Sequence, residues 1–185
     1  MTAHDAVFTQ CGLRKLGETL LVNGANGAVG SAGGSGCGLA AGARVVANVR
    51  SPDSARALAD EDALVVTPDS AADRLAALGG ADVVLELIRA PNLDLDFGAL
   101  APKGRIVIVG TGAGQEAGHL VAHPDGVSGR ACGARCCGPG RVEEKAAAVQ
   151  AFARSVVPLL AAGRALPGDR PGVPLRPRPP RRSTT

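Results

Sequence analysis

Residues 20–36 read LLVNGANGAVGSAGGSG, an apolar run that passes straight into a series of glycines. The run predicts a strand at 19–23, with a helix after the glycine turn. Between them the spacing Ala25-x-Gly27-x-x-Gly30 matches the dinucleotide-binding fingerprint, with alanine in its first position. This pattern predicts a turn that holds phosphates at a helix N-terminus, and a purely structural turn is the alternative. The turn consists of Gly24, Ala25, Asn26, Gly27, Ala28, Val29 and Gly30.

Strand and helix patterns alternate along the rest of the chain. With 2% aromatic residues, and neither Trp nor Tyr, the core must be built from Val, Leu, Ala and Ile. Such a core suits a parallel sheet that is buried on both faces. We therefore predict an α/β protein of Rossmann type, an open parallel sheet with helices on both faces. The predicted strands are 19–23, 44–49, 64–66, 81–88 and 105–110, and the predicted helices between them are 29–41, 51–60, 71–78 and 93–100.

The end of the second predicted strand indicates which dinucleotide is preferred. NAD-binding folds place a carboxylate about 20 residues after the glycines, where it holds the ribose hydroxyls. Here Arg50 and Ser51 occupy that place, and the first acid is Asp53. A guanidinium and a hydroxyl can bind a 2′-phosphate, so the pair favours NADP(H) over NAD. The same lack of an acid argues against a methyltransferase, whereas a solvent-exposed arginine is the alternative for Arg50.

Cysteine content and hydropathy indicate in which cellular compartment the protein is expected. The chain has five cysteines, an odd number, and its first residues do not form a signal peptide. No apolar run has the length needed to cross a membrane. We expect reduced thiols, a cytoplasmic protein and no membrane association.

The positive net charge comes from the last residues. From Arg164 to Thr185 there are six arginines, six prolines and one aspartate. This composition predicts a disordered tail over 166–185. A solvated end is the simplest interpretation, and no nucleic-acid partner is expected; a tail that binds a partner remains an alternative.

Metal-ligand patterns are weak. Cys132, Cys136 and Cys137 include no Cys-x-x-Cys pair, and adjacent cysteines fit a tetrahedral zinc site poorly. His119 and His123 have helical spacing, but Pro124 follows at once and a glycine-rich stretch precedes them. We predict no metal site.

Two further titratable residues lie in predicted elements. His4 falls in the first helix, where a surface or capping role is expected. Glu86 falls inside a predicted strand, either as a buried carboxylate that needs a partner or facing a cofactor cleft. The absence of Tyr excludes a short-chain dehydrogenase, whose chemistry uses that residue as proton donor.

Several stretches together resemble the medium-chain dehydrogenase/reductase superfamily, zinc-independent NADPH:quinone oxidoreductase type. The likeness covers about 2–122 and 142–165. It is carried by TAHDAVFTQCGLRKLGETLLVNGANGAVGS, GARVVANVRSP, ALAPKGRIVIVGTGAG and VEEKAAAVQAFARSVVPLLAAGR.

The resemblance implies positions for the cofactor. NADPH would lie on Gly27, Ala28 and Val29, with its adenosine phosphate at Arg50 and Ser51. The nicotinamide would lie near four further residues. These are Leu87, Ile88, Val109 and Gly110.

The chain also departs from the family pattern. Relatives carry an N-terminal domain that supplies much of the substrate cleft. For this chain we expect an N-terminal helix (1–16), a cofactor domain (17–165) and a tail. We therefore expect the chain to be truncated relative to the family. The glycines in 33–38 weaken the first helix by about 1 kcal/mol each. Residues 128–141 are expected to be irregular where relatives have an edge strand that pairs in homodimers. A shifted reading frame would account for the glycines of 33–38, the irregular stretch 128–141 and the Arg/Pro-rich tail 166–185.

The resemblance implies hydride transfer from NADPH to a quinone or enone without zinc. A nucleotide-binding remnant without catalysis is the alternative. No catalytic residue is evident from the sequence. The substrate is not readable from it either, because the residues that would select it belong mostly to the half that we expect to be missing.

Overall fold

The protein is described by a computed structural model, which covers residues 1–13, 16–56, 58, 63–88, 92–109, 130–132 and 142–162. Six parallel strands form one sheet in the order β3-β2-β1-β4-β5-β6. The strands are β1 (Thr19–Asn23), β2 (Arg44–Asn48), β3 (Leu64–Val66), β4 (Ala81–Glu86), β5 (Leu100–Ile108) and β6 (Arg130–Cys132). This order confirms the predicted Rossmann-type fold, with the direction of winding reversed between β1 and β4.

The helices lie between and beside the strands. The N-terminal helix α1 (Thr2–His4) continues as a π-helix over Asp5–Gln10, and α2 (Ala28–Ser31) continues as a π-helix over Ala32–Gly38 and a 3₁₀ turn over Leu39–Ala41. The others are α3 (Pro52–Arg56), α4 (Pro68–Ala77), α5 (Leu93–Gly98), α6 (Val142–Ser155) and α7 (Val157–Ala161).

The sheet is buried on both faces. All of β1 is buried, and its side chains alternate between two apolar clusters. Leu20 and Val22 face the cluster that includes Val7 of the N-terminal helix, whereas Leu21 faces the cluster that includes Leu75 of α4. Helices therefore cover both faces, which explains why the strand sequences are continuously apolar rather than alternating.

Two glycines of the first long helix, Gly33 and Gly38, lie against the sheet. An added Cβ on Gly33 would lie 2.6 Å from Leu85 Cδ2, and one on Gly38 would lie 2.8 Å from Leu20 Cδ2 and 2.9 Å from Val45 Cγ2. The sequence suggested only a weakness here. The structure shows that a side chain at either position would require core side chains to shift, so the missing side chains let the backbone pack closely on the core.

Several predicted boundaries differ from the structure, and those of β4 and β5 bear on the site. Strand β4 ends at Glu86 rather than at Ile88, and β5 begins at Leu100, five residues before the predicted start. The residues between Leu100 and Arg105, which precede the predicted strand, form an irregularity within β5. It contains Lys103 at φ 68° and a register shift against β4. Pairing with β4 therefore breaks after Leu100 and resumes at Arg105, opposite Val83, as at a β-bulge.

Other expectations concern the ends of the chain. The N-terminal helical segment spans Thr2–His4 and Asp5–Gln10. Within the stretch expected to be irregular, Arg130–Cys132 form the short edge strand β6 beside β5. The rest of that stretch and the predicted tail lie outside the described residues. No helix in the described part of the chain is both long and apolar enough to cross a membrane.

Candidate functional site

The glycine turn connects β1 to α2 at the carboxyl edge of the sheet. Gly24 has φ +76°, a left-handed conformation that favours glycine. The N–H groups of Gly24 and Ala25 donate to the Asn48 carbonyl at 3.1 and 3.3 Å, and the Gly27 N–H donates to the Gly24 carbonyl at 3.0 Å. These bonds hold the turn against the end of β2.

The turn is closed on its inner side and open on its outer side. A Cβ on Gly30 would lie 2.3 Å from the Gly24 carbonyl oxygen and 2.8 Å from Ala25 Cα, so only glycine fits there. Gly27 caps α2 in extended conformation and, like Asn26 and Ala28, is exposed. The exposed backbone and the first N–H groups of α2 form a cradle that suits a diphosphate, so the residues present fit a dinucleotide.

The predicted 2′-phosphate residues lie at the end of β2, beside this turn. Arg50 is exposed. Ser51 lies at the start of α3, where its Oγ accepts the Ser54 N–H at 3.2 Å and lies 3.1 Å from Ser54 Oγ. Ser54 also accepts a hydrogen bond from Asn26 Nδ2 at 3.1 Å. Sequence reasoning missed Ser54, which connects the glycine turn to the Arg50–Ser51 corner.

The predicted nicotinamide-side residues lie after β4 and β5. A Cβ on Gly24 would lie 3.3 Å from Ile88 Cγ1 and 3.6 Å from Leu87 Cβ, so this segment packs on the glycine turn. Ile88 is 41% exposed. Val109 is buried, and its N–H donates to the Glu86 carbonyl at 2.9 Å. Gly110 lies outside the described residues. The other predicted residues all meet at the carboxyl edge of the sheet.

A buried polar network lies directly beneath this edge. Asn23 Nδ2 donates to Glu86 Oε2 at 2.5 Å and to Asp96 Oδ1 at 2.6 Å. Asn48 Nδ2 donates to Asn23 Oδ1 at 2.8 Å, and Asn92 Nδ2 to Glu86 Oε2 at 3.3 Å. Glu86 Oε1 accepts the Ile88 N–H. Of the two interpretations of Glu86, the structure therefore supports a buried carboxylate with partners.

The network brings two carboxyl groups together, those of Glu86 and Asp96. Burial raises the pKa of Asp96 to about 8, and the charge of Glu86 and a hydrogen bond between the two carboxyl groups contribute to that rise. Asp96 Oδ2 is fully buried and accepts no hydrogen bond from the described residues. A proton on Asp96 removes the repulsion, since it lets one acid donate to the other.

Of the five residues in this network, sequence reasoning singled out Glu86 alone and missed the four others. A signal was present, because Asn23, Asn48 and Glu86 are each the last residue of a strand that is otherwise mostly apolar. In a parallel sheet these positions align at one edge. Asp96 and Asn92 could not be found this way, because they come from α5 and the turn before it.

His4 differs from its expected surface position. It is 4% exposed, and its ring lies 5.0 Å from Phe8 and 5.9 Å from Phe152, measured between centroids. Burial lowers the pKa of His4. The side chain lines a cavity of about 370 Å³ among the N-terminal helix, the π-helix after α2 and α6–α7, with Cys37 on its wall. Prediction failed because two phenylalanines, one of them from a distant part of the chain, pack against the ring.

Metal-ligating residues are not clustered in the described part of the chain, where no group of three His, Cys, Asp or Glu side chains could hold an ion. His119, His123, Cys136 and Cys137 lie outside the described residues, and only the backbone of Cys132 is described, in β6.

The chain is similar to several known proteins. It is 35% identical over 159 residues to the spectinabilin polyketide synthase system protein NorB of Streptomyces orinoci, covering 82% of this chain and 7% of NorB. The quinone oxidoreductase of Thermus thermophilus, solved alone and with NADPH, superposes with a TM-score of 0.69 and 29% identity over 88% of this chain and 51% of that one.

A third similar protein is matched by this chain over most of its own length. A putative enoyl reductase domain of a polyketide synthase matches with a TM-score of 0.64 and 20% identity, over 89% of this chain and 92% of that domain, which shows the shared fold. The chain spans a small part of NorB and about half of the quinone oxidoreductase.

The sequence model described as zinc-binding dehydrogenase matches residues 28–153, more than half of the chain. The solved structures named above share the fold of this chain. The chain belongs to the zinc-binding dehydrogenase family, within the medium-chain dehydrogenase/reductase superfamily.

Proposed function

We propose that the chain binds NADPH and forms the cofactor-binding half of an oxidoreductase that reduces a quinone or enone without zinc. The observation that carries the proposal is the glycine turn at the point where the strand order reverses. In open α/β sheets, ligands bind in the crevice outside the carboxyl ends of the strands at this point. The cradle between Gly24 and Gly30 opens into that crevice.

The proposed preference for NADPH rests on Arg50 and Ser51. Both follow β2, the strand next to β1, and Asn26 links the turn to the same corner through Ser54. An exposed guanidinium can pair with a 2′-phosphate, and no carboxylate occupies that place in the sequence.

The reaction needs little acid–base chemistry from this half. The nicotinamide supplies the hydride when it is bound. The chain's share is to hold the diphosphate on the turn and to place the ring beside the 87–88 segment and Val109. This packing would exclude water from one face of the ring.

A titration with NADPH and NADH tests the cofactor proposal. We expect saturable binding with preference for NADPH, and Arg50→Ala should weaken NADPH binding about tenfold or more while leaving NADH binding nearly unchanged. Arg44→Ala is the matched control, because Arg44 is exposed at the opposite end of the same strand. Equal losses in both variants, or for both cofactors, contradict the proposed 2′-phosphate site.

Turnover distinguishes an active enzyme from a non-catalytic remnant. Reduction of a simple quinone with NADPH, unaffected by a metal chelator, supports the zinc-independent enzyme. Binding without turnover in the same preparation supports the non-catalytic remnant instead.

A second candidate function is enoyl reduction in a polyketide synthase. It is favoured by the 35% identity to NorB and by the enoyl reductase domain of which this chain covers 92%. A crotonyl thioester offered beside the quinone separates the two, since an enoyl reductase should consume NADPH with the thioester and much more slowly with the quinone.

A further inference from the structure

A cavity of about 370 Å³ lies between the N-terminal helix, the helical turns that follow α2, and α6–α7. Among the described residues that line it, none belongs to the glycine turn at 24–30. Ala40 and Ser155 on its walls are exposed, so the cavity reaches the protein surface. An apolar cavity of about 150 Å³ can hold a benzene ring, so this one has room for two fused rings.

The helices on one side of the cavity are loosely packed. Neither α6 nor α7 contains a buried residue. Val156 and Leu159 line the cavity and are only half-buried. The wall contributed by the turns after α2 consists of small side chains, among them Cys37 and Ala41. A ligand in this space would therefore bury apolar surface that the chain by itself leaves partly exposed.

His4 brings an unpartnered polar group to the cavity. Its side chain is 4% exposed and lines the cavity, and its buried Nδ1 forms no hydrogen bond with the described residues. A buried polar atom without a partner is uncommon and costs free energy. A nitrogen of neutral imidazole is either a donor or an acceptor, and a hydroxyl group can pair with both forms. A hydroxyl group on a ligand would therefore suit His4 in either tautomer.

The lining indicates an uncharged ligand. None of the described residues that line the cavity is Asp, Glu, Lys or Arg. Burial lowers the pKa of His4 and raises the pKa of the Cys37 thiol, so both groups favour their uncharged forms. A charged ligand would lose its hydration here without gaining an opposite charge.

Aromatic side chains favour a flat ring as the ligand. The centroid of the His4 ring lies 5.0 Å from that of Phe8 in a tilted arrangement and 5.9 Å from that of Phe152 in an edge-to-face arrangement. Phe8 also lines the cavity. Aromatic rings pack favourably in both of these geometries, and an aromatic ligand would extend the cluster.

We propose that this cavity is a second ligand site, which takes an uncharged molecule of one or two fused aromatic rings whose single hydroxyl group pairs with His4. The rings would pack among Phe8, Val156 and Leu159. The site is separate from the glycine turn, so this inference does not rest on the proposed function.

Calorimetry of the full chain at neutral pH, without cofactor, compares β-naphthol with naphthalene and naphthalenesulfonate. β-Naphthol carries the required hydroxyl group and is uncharged at this pH. We expect it to bind at one saturable site about tenfold or more tightly than naphthalene does, because naphthalene cannot pair with His4. Naphthalenesulfonate should also bind about tenfold or more weakly than β-naphthol, because its charge finds no partner in the cavity.

Variants locate the site within the fold. His4→Phe keeps a ring in place but removes its polar atoms, so β-naphthol should lose about tenfold in affinity and naphthalene should lose little. Ala151→Leu enlarges a side chain that lines the cavity and should weaken binding of both ligands about tenfold or more. Ala153→Leu is the matched control, because Ala153 is exposed on the same helix and is not among the lining residues.

Cys37 provides a readout that needs no substitution. Its side chain lines the cavity and is partly exposed, so an occupied cavity should shield the thiol from N-ethylmaleimide. Saturating β-naphthol should slow alkylation of Cys37 about fivefold or more, because a saturated site leaves few molecules open. Mass spectrometry of the peptide that contains Cys37 measures this rate. Naphthalenesulfonate at the same concentration should have little effect.

Tight binding of β-naphthol that shields Cys37 supports the site. If the folded chain does not bind β-naphthol, or if binding leaves the alkylation of Cys37 unchanged, the cavity is not a ligand site and His4 has only a packing role. Equal affinities for β-naphthol and naphthalene in wild type would overturn the pairing with His4. Because no cofactor is present in these measurements, each of these failures leaves the proposed function standing.

Discussion

Single glycines shape the candidate site, and each does so for a different steric reason. Gly24 is needed for its left-handed backbone, whereas Gly30 is needed because its neighbours leave no room for a Cβ. Gly27 needs neither, since a Cβ there would lie 3.4 Å from the Gly24 carbonyl oxygen in ordinary contact. Its lack of a side chain instead leaves the outer surface of the turn open for a ligand.

We predict that Gly30→Ala lowers the free energy of unfolding by about 3 kcal/mol, because its Cβ would overlap a backbone carbonyl that cannot rotate away. Gly98→Ala is the matched control: nothing lies within 4 Å of its added Cβ, and its change should stay within about 1 kcal/mol. Urea unfolding followed by circular dichroism measures both. Equal stability of the two variants would show that the turn relaxes around the methyl group.

Gly27→Ala is predicted to separate folding from binding. Because its Cβ fits the fold but projects into the open side of the turn, its unfolding midpoint should stay close to that of wild type while NADPH binds about tenfold more weakly. Calorimetry with NADPH at neutral pH measures the affinity. Unchanged affinity in the stable variant argues that the diphosphate does not lie on this turn.

At the scale of elements, the glycine-rich helix and the strand ends are where tertiary packing most clearly opposes the preference of the local sequence. The residues from Ala32 to Gly38 have poor helix propensity, yet they form a π-helix against the sheet. Gly33 and Gly38 face apolar side chains of the core, whereas Gly36 is nearest to the Ser31 carbonyl at 3.9 Å. Packing, not propensity, holds this helix.

This contrast predicts opposite signs for two alanine substitutions in one helix. Gly36→Ala should raise the free energy of unfolding by up to about 1 kcal/mol, since it gains propensity without a close contact. Gly38→Ala should lower it by about 1 kcal/mol or more, because its Cβ would overlap the side chains of Leu20 and Val45. If both substitutions stabilise the chain in urea unfolding, the helix does not approach the sheet as closely as described.

The strand-end network predicts how stability depends on pH. Because the folded chain raises the pKa of Asp96 from 3.8 to about 8, the folded state keeps a proton that the unfolded state releases. The stabilisation is full below the unfolded value, falls as the pH rises between the two values and is lost above the folded one. Asp96→Asn should flatten this dependence in urea unfolding, and Asp94→Asn should not. Parallel profiles in all three proteins would show that Asp96 ionises freely.

At the scale of the whole molecule, the order of the sheet decides where a ligand can bind. The chain winds from β1 to β3 in one direction and from β4 to β6 in the other, which leaves a crevice above β1 and β4. The glycine turn, the Arg50–Ser51 corner and the 87–88 segment all border that crevice. A dinucleotide bound there would contact both halves of the sheet.

We therefore expect NADPH to stabilise the whole fold. At 100 times its dissociation constant, a ligand that binds only the folded state adds about 2.7 kcal/mol, so the melting temperature should rise with NADPH concentration and rise less with NADH at equal concentration. Thermal unfolding by circular dichroism is the measurement. A melting temperature that does not change at any concentration of either cofactor argues against a dinucleotide site.

The sequence by itself determined the parallel sheet, the glycine turn and the Arg50–Ser51 corner. These follow from local patterns: continuous apolar runs, the spacing of glycines, and the residues at the end of β2. Neighbouring residues are enough to predict these features, because strand burial and turn geometry depend on a few consecutive positions.

Only the tertiary structure decided the burial of His4, the close packing of Gly33 and Gly38, and the pairing of Glu86 with Asp96. In each case the decisive partner lies far along the chain: Phe152 for His4, Leu20 and Leu85 for the glycines, and Asn23 for both carboxyl groups. Desolvation and steric exclusion depend on which atoms meet in space. A linear pattern does not contain that information until the sheet has brought the strand ends together.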